Sequence, residues 1–127
     1  MPIADLRSSN MMTHILDALE DGKDIGHYGR LVFTIIAQYF DDKEAIVSHL
    51  QKDKDFSEED ARALFEQVTN KGYSPPNRDT ILEYQSEQDF DICPNSDDPD
   101  ACNIYQELTF PDTVYEIISE YNKEKAD

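Results

Sequence analysis

The chain has 127 residues, 39% of them apolar, and a net charge of −17. That length supports one domain with its own core, and the apolar share sets the chain apart from wholly disordered ones. The charge excludes direct binding of nucleic acid, whose phosphates need a basic footprint, and no apolar run reaches the roughly 20 residues of a membrane span.

In chain order, MPIADLRSSN lacks the apolar centre of a signal peptide, so the protein is expected to be soluble and cytoplasmic. SSNMMTHILDALEDG reads as a first helix, with an N-cap among Ser8 to Asn10, apolar residues from Met11 through Ile15 to Leu19, and Gly22 as its stop. HYGRLVFTIIAQYF, residues 27 to 40, is the most apolar stretch; Leu31, Val32, Ile35, Ile36 and Tyr39 form a wide stripe that predicts the central buried helix. It ends at Asp41-Asp42. KEAIVSHL continues as a short helix with Ala45, Ile46, Val47 and Leu50 inward.

FSEEDARALFEQVTNKGY carries the fullest helix signature. Ser57 with Asp60 resembles a capping box, Ala61, Leu64, Phe65 and Val68 follow at helical spacing, and Gly72 closes it. SPPNRD turns the chain, and Asn77 or Asp79 caps the next helix, TILEYQSEQ. From Asp89 to Asn103 there is only turn chemistry. Pro111 and Asp112 open a last helix, TVYEIISEY, with Val114, Ile117, Ile118 and Tyr121 as its inner face. The expectation is an all-α fold: a single compact, monomeric domain of five or six short helices, with a long acidic loop before the last.

The acidity has a direction. Residues 1 to 78 hold 14 acids and 9 Lys/Arg, whereas residues 79 to 122 hold 12 acids and no Lys, Arg or His. A solvated helix face mixes both signs; the bland alternative is an acidic surface kept for solubility. At the centre of the acid-only stretch lies CPNSDDPDAC, residues 93 to 102. Ca2+ takes about six to eight oxygen ligands from carboxylates, amides, backbone carbonyls and water. Asn95, Asp97, Asp98 and Asp100 lie on a turn-prone backbone able to curl around such an ion. A loop of this kind needs ligands from elsewhere, and Asp41 and Asp42 are the candidates, because a helix C-terminus attracts cations. Glu87, Asp89 and Asp91 are a candidate second site.

Competing motifs fare worse. Asp53-x-Asp55-x-Ser57 starts like an EF-hand, but Glu58 replaces its glycine and Leu64 its closing glutamate, so these residues are expected to lead into and cap a helix. Zinc at Cys93 and Cys102 lacks further ligands, since His14, His27 and His49 are remote. In a reducing compartment the two cysteines read as thiols, with a disulfide as the alternative. No nucleophile, Walker or HExxH signature occurs, so no enzyme is expected.

In size, charge and the segments YFDDKE, SPPNRDTILEYQSEQDFDICPNSDDPDAC and FPDTVYEII, the chain resembles the small acidic cyanobacterial calcium-binding proteins. The resemblance implies buffering or sensing of cytosolic calcium without EF-hands, linked to signalling in heterocyst differentiation, with more than one site of unequal affinity. The ligand set Asp41, Asp42, Asn95, Asp97, Asp98 and Asp100 is read from the residues, not from the resemblance. A rival reading is an acidic interaction module or DNA mimic that binds a basic protein partner. GRLVFTIIAQYF, DFSEEDARALFEQ and the following Pro-Pro turn also resemble helical modules at the C-terminal side of some DNA primases.

Overall fold

In the computed structural model, residues 3–54, 56–112 and 114–115 are described. They are all-α, as the periodicity predicts: a 3-10 helix (Ile3–Ser8) and then α1 (Asn10–Glu20), α2 (Gly26–Ala37), α3 (Lys43–Leu50), α4 (Glu58–Lys71), α5 (Arg78–Gln85) and α6 (Ile104–Glu107).

Local chemistry accounts for most helix starts. Ser9 caps α1 by accepting from the Met12 amide (3.2 Å) and donates its own hydroxyl to Glu107 (2.7 Å). Asp42 caps α3, Ser57 caps α4 and Asn77 caps α5, each through a side-chain oxygen that accepts an amide three residues on. Gly72 ends α4 in the left-handed region, φ 64°, where a Cβ is disfavoured.

α2 starts differently. Ile25 precedes it with no side-chain cap, and the amide donors that any helix start leaves unpaired are met by remote side chains. Ile25 donates to Asp53 (3.1 Å) and Tyr28 to the Gln88 side-chain oxygen (2.9 Å), while Gly26 donates to nearby Asp24 (2.9 Å). Gly26 has φ +77°, where an L side chain is strained, and a Cβ there would lie 2.5 Å from the Gln88 oxygen, so glycine is favoured.

At its other end α2 stops at Ala37, short of the expected Phe40. Tyr39 and Phe40 donate to carbonyls three residues back, which tightens the chain into a turn before Asp41. Within α2, Leu31, Val32, Phe33, Ile35 and Ile36 are buried, and Tyr39 beyond it is half-buried. α2 is thus wrapped on nearly all sides, packing on α4, α5, α1 and α3, while α3 lies against α4. The buried side chains of all these elements form one cluster.

α6 has four residues, too few to show a hydrophobic period, and was not expected. Of the predicted last helix, Asp112, Val114 and Tyr115 are helical and Val114 is buried; Ile117, Ile118 and Tyr121 lie outside the described residues. Tyr105 of α6 donates its hydroxyl to the Pro75 carbonyl, which fastens α6 to the Pro-Pro turn, and burial pushes its phenol up to about 12.

One expectation is overturned. Cys93 and Cys102 are joined in a disulfide, with Cα atoms 5.8 Å apart. The thiol reading rested on the compartment alone. The turn-forming insert folds back on itself and delivers both sulfurs into the core, where each residue is 2% exposed.

Candidate functional site

The acidic loop runs from Cys93 to Cys102 between α5 and α6. Its ends are buried, and residues 94 to 100 are all exposed. Two internal turns shape it: the Asp98 amide donates to the Asn95 carbonyl (3.0 Å), and the Ala101 amide to the Asp98 carbonyl (3.1 Å). The Asp98 carboxylate accepts from the Asp100 amide (2.9 Å), an Asx-type turn that aspartate forms readily. On the α5 side, Gln85 accepts from the Cys93 amide (2.7 Å).

Arg78 reaches the loop from the first turn of α5. Its Nε donates to the Ala101 carbonyl (3.0 Å), and one Nη donates to the carbonyls of Ser96 (2.8 Å) and Asp98 (3.0 Å). A planar guanidinium with a fixed fork of donors suits such a set of converging oxygens. The loop backbone therefore folds around a cation that the chain itself supplies. Sequence reasoning missed this residue because it lies 18 to 23 positions from its partners. The available signal was its place as the last basic residue before the acid-only stretch.

The predicted ligands fall into two groups. Asn95, Asp97, Asp98 and Asp100 are exposed residues of the one loop. Asp41 and Asp42 serve the start of α3: Asp41 accepts from the Asp42 amide (2.8 Å), and Asp42 from the Ala45 amide (2.9 Å). Among the described residues no three of His, Cys, Asp and Glu are grouped so as to hold a metal ion. As oxygen donors the loop carboxylates fit a hard cation such as Ca2+. The backbone carbonyls of Ser96, Asp98 and Ala101, also suitable ligands, already accept from Arg78.

Glu87 and Asp89, from the second candidate site, line an open groove of about 340 Å³ with Asp24, Gly26, Gln88 and Phe90 at the start of α2. Gln88 crosses it, donating to the carbonyls of Ile25 (2.9 Å) and Phe90 (3.1 Å). Asp91 presents its carbonyl to His14 Nε2 (2.9 Å), and the His14 ring stacks on Phe90 at 5.0 Å. The Glu87 carboxylate beside it holds the Tyr28 phenol above its usual pKa.

Fold and site together describe an all-α protein with a cross-linked, arginine-braced acidic loop. No family model matches the chain, and no curated protein or solved structure matches it.

Proposed function

We propose that the protein is a non-catalytic acidic protein that binds Ca2+ through the carboxylates of the 93–102 loop, as a buffer or sensor of the ion. The observation that carries this reading is a loop braced from within by Arg78 and the disulfide, with Asp97, Asp98 and Asp100 left exposed. A braced backbone lowers the entropy lost when the side chains close on an ion. The likeness to the acidic cyanobacterial calcium-binding proteins, with their role in calcium signalling, belongs to the same reading. None of the helices among the described residues is long and apolar enough to cross a membrane.

Calorimetric titration with Ca2+ and with Mg2+ at physiological salt tests it. A saturable heat with Ca2+, weakened strongly by Asp97→Asn with Asp98→Asn and little by Glu58→Gln with Glu59→Gln, is the expected result. Equal losses from both pairs would mean a diffuse counterion layer.

Arg78 favours a second reading, in which the acidic surface receives a basic protein. With three loop carbonyls already committed, the exposed carboxylates can meet a partner's lysines and arginines without completing a metal shell. This reading predicts no calcium-specific heat and a salt-sensitive capture of a basic protein.

A further inference from the structure

We infer that the Cys93–Cys102 bridge is a thiol-responsive latch on the acidic loop: a dithiol reductant opens it and frees the backbone between the cysteines while the helical core stays folded. The inference concerns the loop's order and holds whichever ligand the carboxylates take.

The bridge spans only nine positions and encloses a segment that is exposed from residue 94 to residue 100. The helices pack on one another outside that ring, α3 on α4 and α2 on α4, α5, α1 and α3. Opening the ring thus releases the segment without parting those helices. Within the ring, Cys102 has φ 65°, the left-handed region that residues with a Cβ rarely adopt. Ring closure holds it there. The adjoining carbonyl, that of Ala101, is the one that accepts from Arg78 Nε. When the sulfur bond opens, the backbone at 102 can leave the left-handed region, and the Ala101 carbonyl turns away from the guanidinium with it.

The chemistry is a two-electron exchange. An incoming thiolate attacks one cysteine sulfur, the other leaves as a thiolate and takes up a proton, and the reductant's second thiol resolves the mixed disulfide. The dithiol ends as a disulfide and the chain holds two thiols. Both cysteines are 2% exposed, so attack requires the loop to lift first. Arg78 resists that lifting, so clamp and bridge stabilise each other, and loosening either loosens the other.

Amide hydrogen exchange on the folded protein, with and without dithiothreitol, reads this directly. On reduction the amides of Asp98, Asp100 and Ala101 are expected to exchange on the order of a hundredfold faster, from the ring-closure entropy of a loop this short. The Val68 amide in α4 should keep its rate. Unchanged loop amides would overturn the latch, since Arg78 alone would then hold the loop. Equal acceleration at Val68 would also overturn it, because the bridge would then hold the whole fold. A Cys93→Ser, Cys102→Ser double variant that fails to fold tells against the latch in the same way. In the oxidised protein, Arg78→Ala should release thiols to dithiothreitol several times faster than the parent; an equal rate would refute the coupling between clamp and bridge.

Discussion

Asp53 is buried to 1% exposure and accepts from the Ile25 amide and from Arg30 (3.0 Å), which also pairs with Asp24 (3.2 Å) and lies over the Phe56 ring. Without Asp53 the Ile25 amide at the start of α2 loses its acceptor, while Arg30 keeps its pair with Asp24. Asp53→Ala should therefore cost about 1–3 kcal/mol in urea unfolding. Asp53→Asn, which keeps an acceptor for Ile25, should cost less. In sequence Asp53 lies on the approach to α4, whose start Ser57 caps as expected. Its true partners lie 28 and 23 positions away, beyond any local pattern. His49 is a second residue whose environment was not legible: its Nδ1 is buried without a hydrogen-bond partner, and burial lowers its pKa below 6.5. As pH falls through 6.5 the unfolded chain takes up a proton there and the folded one resists. This stability is fully present above 6.5 and is lost below it, with a slope of at most about 1.4 kcal/mol per pH unit for one proton. Melting curves between pH 7.5 and 5.5, taken as about neutral to mildly acid, should show that slope in the parent and a flatter profile in His49→Gln.

Among the elements, those specified locally were the legible ones. α4 has its cap, apolar face and closing glycine within one contiguous run, and all three were predicted. α2 was visible as an apolar stripe; the partners of its start, Asp53 and Gln88 from beyond the end of α5, were not, and its end came three residues early where Tyr39 and Phe40 tighten into a turn. Gln88 alone joins Tyr28, Ile25 and Phe90. Gln88→Ala should destabilise by about 1–3 kcal/mol, the cost of part-buried polar groups left unmade. Gly26→Ala should add strain at its positive φ and a clash with Gln88. The acidic loop was legible as turns and as a concentration of oxygen donors, whereas its brace was not. Arg78→Lys tests the brace: lysine keeps the charge but has no fork to span three carbonyls. It should accelerate exchange at Asp98 and Ala101 nearly as much as Arg78→Ala does. Equal protection in Arg78→Lys and the parent would show that charge alone suffices.

For the molecule as a whole, the net charge of −17 sets the background against which any specific ion effect must be read. Compaction brings like charges together, so the folded state carries a repulsive term that salt relieves. The ion pairs that offset it, such as Arg62 with Glu44 (2.9 Å) and Lys43 with Glu66 (3.2 Å), are exposed or nearly so, and exposed pairs contribute little. The melting temperature should accordingly rise with sodium chloride from low ionic strength, and most of the rise should be complete once the Debye length falls to about 8 Å, near physiological salt. Sodium and potassium should act alike, because screening depends on ionic strength and not on the identity of the ion. Divalent ions added above that plateau separate the two readings of the acidic surface. If the loop carboxylates bind Ca2+, a hundredfold excess over Kd should add about 2.7 kcal/mol of stability, Mg2+ should add less, and Asp97→Asn with Asp98→Asn should abolish the difference. Equal shifts with the two ions, unchanged by those substitutions, would leave the surface as a counterion layer and favour a basic protein as its partner.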